Sequence, residues 1–169
     1  MSNTENINAW FDQLDATVNQ VIPNIIAETA TEHFKERFLQ KNWEGRAWAK
    51  YNPNNKKNRK EPSAGSLMMR SNNLFSSIRP GLVEPHLVVI NAGGKKVAYA
   101  RVHNEGLRVT ASQYVRPHTN KNFMGTGKTQ QIKAHSRQLD FKMPKRQFIG
   151  RSAFLNKKIH DRLSMIFKK

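Results

Sequence analysis

Apolar side chains recur at helical intervals through the first forty residues of the chain. Apolar residues within 6–20, together with Val21, follow one another at steps of mostly three and four, which places them in one stripe along a helix. The stripe consists of Ile7, Trp10, Phe11, Leu14, Val18 and Val21. Pro23 interrupts this pattern and suits the first turn of a second helix, which we expect over residues 23–41. The segment 1–44 is therefore predicted to consist of N-terminal helices.

Short apolar runs separated by turn residues follow in the segment 67–106. Residues 78–83 and 86–92 are two such runs and predict neighbouring strands joined by a tight turn. Residues 97–103 predict a short strand or a helical turn. In the next segment, 107–142, two weakly alternating stretches flank a tip of Asn, Lys, Gly and Thr, which is typical of a long hairpin or loop.

Two further segments complete the predicted organisation. Residues 50–66 are rich in Asn, Lys, Pro and Ser with almost no large apolar residue, which predicts a flexible basic loop. In the C-terminal segment 143–169, helically spaced apolar residues between 152 and 167 predict an amphipathic helix. The chain of 169 residues is the usual size of one domain. We therefore expect a single α+β domain over residues 1–169, with an antiparallel β-sheet packed against two or three α-helices and Tyr99, Phe148, Ile149 and Leu163 in its core.

The charge of the chain is large and unevenly distributed. The net charge is +17. Residues 1–49 carry four Lys or Arg against seven Asp or Glu, and residues 50–169 carry 25 against five, so the two parts have net charges of −3 and +20. Positive charge at this density repels copies of the same chain unless an anionic partner is near, and the commonest such partner is a nucleic acid backbone. An otherwise ordinary basic protein is the alternative.

The predicted hairpin concentrates this positive charge. Its basic residues are the candidate contacts to DNA or to a partner protein: Arg108, Arg116, Lys121, Lys128, Lys133, Arg137 and Lys142. Asp140 is its one acidic residue. The interleaved aromatic residues Tyr114, Phe123 and Phe141 are compatible with stacking on bases and equally with a role in pinning the hairpin.

Residues suited to catalysis or metal binding are sparse. With no cysteine, the chain has no disulfide, no thiolate zinc site and no cysteine nucleophile. The histidines are scattered, with no pair at helical spacing. After residue 61 the chain holds only four carboxylates, Glu84, Glu105, Asp140 and Asp161, whereas metal-dependent phosphodiester cleavage usually needs a cluster. We expect no enzyme, cofactor or metal site; the nearest approach to a catalytic pair is His103 with Glu105.

Three short segments resemble the virion morphogenesis, or tail completion, proteins of tailed bacteriophages, which join a finished tail to the head. Residues 67–78 (LMMRSNNLFSSI) are similar to the family's leucine, arginine-serine-glycine, leucine and serine-isoleucine pattern. Asn72 stands where glycine is usual, and asparagine tolerates the left-handed backbone conformation better than most residues. Residues 99–106 (YARVHNEG) resemble its tyrosine-alanine, histidine and glycine segment, and residues 143–150 (MPKRQFIG) its proline, arginine, phenylalanine and glycine segment.

The resemblance, which spans residues 20–169, implies a structural protein of the virion neck or tail. The partners it implies are the head-tail connector, the tail tube or tail terminator proteins, further copies of the chain in a homo-oligomeric ring, and packaged DNA by nonspecific contact. With no apolar run of about 18 residues and no secretory signal pattern, we expect no membrane and assembly in the cytoplasm of the bacterial host. Two alternatives stay open: a nonspecific DNA- or RNA-binding module, and a small nuclease centred on His103 and Glu105.

Overall fold

The computed structural model describes residues 3–50, 67–121, 125, 127 and 129–168. Its N-terminal part is helical, as predicted. Helix α1 (Asn3–Ala16) passes through one π-helical turn (Thr17–Val21) into α2 (Ile22–Gln40), with Pro23 in the first turn of α2. Lys41 then takes a left-handed conformation (φ 52°), which ends the helix. Apart from Lys50, the predicted loop at 50–66 lies outside the described residues.

The strands of the described part pair as four two-stranded antiparallel sheets. Strand β1 (Asn42–Trp43) pairs with β2 (Arg46–Ala47), β3 (Arg79–Glu84) with β4 (Leu87–Asn91), β5 (Arg108–Val115) with β8 (His135–Lys142), and β6 (His118–Asn120) with β7 (Gln130–Ile132). The described part of the fold also contains a 3₁₀ turn (Lys95–Val97) and three further α-helices: α3 (Asn73–Ser76), α4 (Ala100–Glu105) and α5 (Ala153–Ile166). The β3–β4 pair and α5 both pack against α2. The α+β class is confirmed.

The hydrophobic core forms around α2. Phe38 is fully buried and contacts the rings of Trp48, Phe75 and Phe148, with centroid separations of 5.4, 5.9 and 5.2 Å. The other buried members of this core cluster are Ala30, Phe34, Leu67, Leu74, Ile78, Val97, Ala100 and Leu155. These residues come from segments far apart in the chain, and Ile90 of β4 packs against the cluster, so the core joins the helices to the β3–β4 pair.

The four predicted core residues have different outcomes. Phe148 is buried as predicted, and Ile149 is partly buried against the core cluster. Leu163 is partly buried outside that cluster. The prediction for Tyr99 is wrong, because Tyr99 is 41% exposed. Val97 and Ala100 of the same segment are buried instead: they are three residues apart, so they share the face that meets the core.

Polar contacts hold residues 143–150 against α4. Asn104 Oδ1 accepts hydrogen bonds from the backbone N–H groups of Phe148 (3.0 Å) and Ile149 (3.1 Å). The N–H of Arg146 donates to the carbonyl of His103 at 2.8 Å. Gly106 ends α4 at φ 70°, and a Cβ placed there would lie 2.8 Å from Cβ of Lys145. This close approach explains why the position requires glycine.

Residues 143–150 are also tied to the segment that follows β2. Trp48 Nε1 donates to the carbonyl oxygen of Gln147 at 2.7 Å. The buried guanidinium of Arg146 donates to the carbonyls of Ala49 (2.8 Å) and Lys50 (3.2 Å). Buried arginine is stable where carbonyl oxygens satisfy its donors, so Arg146 has a structural role here.

In the described part of the chain, no helix is both long and apolar enough to cross a membrane.

Candidate assembly interface

We call residues 107–142 the arm, and the part of it that the structure describes stands apart from the core. Over the part of it that the structure describes, β5 pairs with β8 without interruption, from Arg108 opposite Lys142 to Val115 opposite His135. The β6–β7 pair continues it towards the tip. No described residue of the arm belongs to the core cluster, and β5 and β8 make only marginal contacts with other described elements.

The β5–β8 pair has two chemically different faces. Side chains alternate between the faces along a strand, and directly opposite residues share a face. From the register, one face carries Arg108, Thr110, Ser112 and Tyr114 with Lys142, Asp140, Gln138 and Ser136. The other carries five apolar residues, Val109, Ala111, Val115, Leu139 and Phe141, interrupted by Gln113 and Arg137 and ending at His135. We call this second face the apolar face of the arm. Phe141 on it is 43% exposed.

The predicted cationic contacts are distributed over both faces of the arm. Arg108 and Lys142 lie side by side on the polar face, and Arg137 lies on the apolar face. Arg116, Lys121, Lys133 and Lys142 are exposed, and Lys128 lies outside the described residues. Among the cations that the structure describes, the strand register places Arg108 directly opposite Lys142 at the base of the arm.

Two of the arm's arginines have partners within the chain. The Arg108 guanidinium contacts the Asp140 carboxylate through two bonds of 2.6 and 2.5 Å and holds the pKa of Asp140 below its ordinary value. Arg137 donates to Gln113 Oε1 at 2.9 and 2.6 Å across the strand pair. These exposed contacts link β5 to β8 and leave the guanidinium groups at the surface.

The aromatic residues of the arm do not form one stacking surface. Tyr114 is 63% exposed on the polar face, whereas Phe141 lies on the apolar face. Phe123 lies outside the described residues. Of the two interpretations left open by the sequence, a continuous base-stacking platform needs its rings on one side, and Tyr114 and Phe141 do not meet this condition.

His103 and Glu105 do not come together as a catalytic pair. Glu105 accepts from Arg101 Nε at 3.0 Å, and residues two apart on a helix face different directions. Burial and the nearby Arg146 lower the pKa of His103. His103 lines a cavity of about 200 Å³ with Tyr99 and Arg146, and no carboxylate lines it. Among the described residues, no three His, Asp or Glu side chains are grouped to hold a metal ion.

Helix α1 carries a second apolar surface outside the core. Its predicted stripe is present but uncovered: Trp10 and Phe11 are each 57% exposed, and Ile7, Val18 and Val21 are also exposed. Apart from the π-helical turn that continues it, α1 packs against no other described element beyond marginal contacts. The sequence signal for this surface was the regular stripe itself, which by its pattern alone indicates a helix packed on a core.

Comparison with known proteins decides the family. The model of the phage virion morphogenesis family matches residues 2–168. The chain belongs to the phage virion morphogenesis family. Neither the comparison with curated proteins nor the comparison with solved structures found a match. This phage morphogenesis protein thus has a structural role in the assembly of a bacteriophage virion, as its resemblance to the family implied.

In this phage morphogenesis protein, the three segments that carry the resemblance line one cavity together. Leu74 and Ile78 of the first segment and Phe148 of the third are core residues. Asn72 adopts the expected left-handed conformation, at φ 54°. Asn104 of the second segment binds the backbone of the third. Sequence reasoning missed the role of Asn104, because nothing in the chain's local pattern indicates which distant amides a side-chain oxygen will reach.

Proposed function

We propose that this phage morphogenesis protein completes the tail and joins it to the head at the virion neck. The observation that supports this role is the arrangement of the arm: a basic, two-faced strand pair outside the core, anchored at its base by Asn104 and Arg146. A two-stranded sheet is marginally stable in water unless another surface covers one face. Such an arm is suited to bind neighbours in a larger assembly.

The partners that fit this role are the head-tail connector on one side and the tail tube or tail terminator on the other, with the protein arranged as a ring around the passage. Packaged DNA passes such a site whatever its sequence. Phosphate contacts position a protein without reading bases. The arm, with seven Lys or Arg against one Asp, supplies contacts of that kind.

A phage or prophage with a stop codon in this gene tests the proposal. We expect DNA-filled heads and full-length tails to accumulate separately, and purified protein added to the extract to join them. Electron microscopy counts the joined particles, and plaque titre measures infectivity. A phage with the gene restored in trans is the control. Joined particles in the mutant, or loss of tails instead of loss of joining, would contradict the proposed role.

The second candidate function is nonspecific nucleic acid binding by the arm, which the exposed Arg116, Lys121 and Lys133 favour. The logarithm of DNA affinity should fall with the logarithm of salt concentration at about −0.9 per phosphate contact. The triple variant Lys121→Ala, Lys128→Ala, Lys133→Ala should reduce that slope. A variant with the same charge change outside the arm, Lys95→Ala, Lys96→Ala, Lys157→Ala, is the matched control.

The same variants separate DNA from protein as the partner of the arm. If the arm variant keeps its DNA affinity and salt slope but no longer joins heads to tails, the arm binds a virion protein and not DNA. An equal loss of affinity in both variants would mean that DNA binding follows net charge and not the arm. Tight sequence selectivity would contradict nonspecific binding by the arm, because phosphate contacts do not read bases.

A further inference from the structure

We propose that copies of this protein associate head to tail, with α1 of one copy lying along the apolar face of the arm of the next copy. The inference deepens the proposed function and rests on it for the ring that such contacts build in the virion. Its basis is a pair of surfaces that the chain itself leaves uncovered and that differ in charge.

Both surfaces are apolar and both lie outside the core cluster. Ile7, Trp10 and Phe11 on α1 are more than half exposed. On the arm, Phe141 is exposed and Val109 and Leu139 are only partly buried. Large exposed aromatic residues at regular spacing are unusual on a monomer and indicate a surface that another molecule covers. Within the described chain, α1 and the β5–β8 pair do not pack on each other.

The two surfaces have matching dimensions. Residues 3–21, which comprise α1 and the π-helical turn, span about 28 Å at about 1.5 Å per residue. Each of β5 and β8 has eight residues and spans about 27 Å at about 3.4 Å per residue. A helix about 10 Å across also matches the width of two strands with their side chains. One helix laid lengthwise therefore covers the apolar face of the arm.

Electrostatic complementarity favours contact between α1 and the arm over contact between two α1 helices or between two arms. Residues 3–21 contain three carboxylates and no Lys or Arg, whereas the arm contains seven Lys or Arg and one Asp. Contacts between two α1 helices or between two arms bring like charges together, and α1 against the arm brings opposite charges together. These charges act over a screening length of about 8 to 10 Å, which is comparable with the thickness of the helix.

The contact is heterologous where each copy offers α1 to one neighbour and its arm to another, and such a chain of contacts ends only when a rotation closes it into a ring. A reciprocal two-fold dimer, in which each α1 lies on the arm of the other copy, would use the same two surfaces. The ring of the proposed function selects the arrangement with two different neighbours. A preassembled partner that sets the rotation favours closure.

Cross-linking tests the contact directly, because the natural chain has no cysteine. Leu14→Cys lies within the α1 stripe, and Ala111→Cys lies on the apolar face of the arm. One variant carries a tag, so that the two chains differ in length. The two variants are mixed and treated with a short bis-maleimide. The reaction is run once on the purified proteins alone and once after they have been added to unjoined heads and tails. We expect a cross-link between the two different chains.

The matched controls move each cysteine to the other side of its element. Ala9→Cys lies on the side of α1 away from the stripe, and Ser112→Cys lies on the polar face of the arm. We expect at least a fivefold lower yield with either control, and a similarly low yield for Leu14→Cys with itself. The double substitution Trp10→Ser, Phe11→Ser should abolish the cross-link and leave the thermal midpoint unchanged, because neither residue belongs to the core.

Several outcomes would overturn the proposal. Equal yields with the controls, or cross-links only between two α1 helices, would mean that α1 does not lie on the arm of a neighbour. Cross-links from α1 to another virion protein would assign that protein as the occupant of the stripe. If the protein joins phage heads to tails but shows no cross-link in either condition, the proposed contact between α1 and the arm of a neighbouring copy is wrong. The proposed function at the neck then stands.

Discussion

At the scale of single residues, His33 is a polar side chain buried between α2 and α5, and its Nδ1 has no hydrogen-bond partner in the described structure. Its side chain is 1% exposed, and its Nε2 lies 3.1 Å from Ser152 Oγ. The same oxygen accepts from the N–H of Leu155 at the start of α5. The serine hydroxyl can therefore donate to a neutral His33, which links α2 to the first turn of α5. Burial, followed by Arg37 and Lys158, lowers the pKa of His33 to about 4.

This pKa predicts a loss of stability in mild acid. The unfolded chain protonates His33 near pH 6.5 and the folded protein only near pH 4, so the unfolded state gains protons first as the pH falls. We expect the free energy of unfolding to be lower by about 2 to 3 kcal/mol at pH 4.5 than at pH 7. Urea titrations at the two pH values measure this difference. His33→Gln should remove most of it, and an undiminished difference in that variant would assign it to other groups.

Phe148 and Tyr99 form a contrasting pair of aromatic residues. Phe148 is buried beside Phe38, whereas Tyr99 is 41% exposed and lines the cavity next to His103. Phe148→Ala should reduce the free energy of unfolding by about 3 to 5 kcal/mol, which is typical of a buried phenylalanine. Tyr99→Ala should cost at most about 1 kcal/mol, close to an ordinary surface substitution. Thermal unfolding of the two variants checks this, and a Phe148→Ala protein as heat-stable as its parent would remove Phe148 from the core.

At the scale of elements, the two ends of the chain differ in their contribution to stability although both are amphipathic helices. Helix α5 packs on α2, with Lys158 Nζ 2.5 Å from Glu36 and Arg162 2.6 Å from Glu32, and Leu155 of α5 is a core residue. Helix α1 contributes no residue to the core.

Deletion of each helix should reveal this difference. Removing residues 1–16 should change the free energy of unfolding by no more than about 1 kcal/mol, because no buried contact is lost. Removing residues 153–169 should prevent stable folding, because it takes Leu155 and the contacts with α2 away. Circular dichroism during heating measures both. A large loss of stability in the first deletion would mean that the core depends on α1.

At the scale of the whole molecule, net charge opposes association of the free protein. The chain carries +17, and its last 120 residues carry +20, so copies repel each other at low salt before any local contact forms. We expect the purified protein to be monomeric or weakly associated at micromolar concentration, and to form its ring on a preassembled partner. Light scattering in low salt checks this. A stable ring formed without a partner would contradict it.

The sequence alone determined the helices, the strands near residues 79–91, the uneven charge and the family. Helical periodicity is a local property, so α1, α2 and α5 were predicted close to their observed positions. The number and sign of charged residues are read directly from the sequence, so the cations of the arm could be named before their arrangement was known. The sequence also showed that Asn72 tolerates the left-handed conformation that the structure has there, at φ 54°.

Only the tertiary structure decided which apolar stripes are covered. Both α1 and α2 carry apolar residues at helical intervals, yet Phe34 and Phe38 of α2 are buried and Trp10 and Phe11 of α1 are exposed. Burial depends on what packs against a helix, and that surface comes from distant parts of the chain. For the same reason the sequence could not separate Val97 from Tyr99, or indicate that Asn104 holds the backbone at the base of the arm.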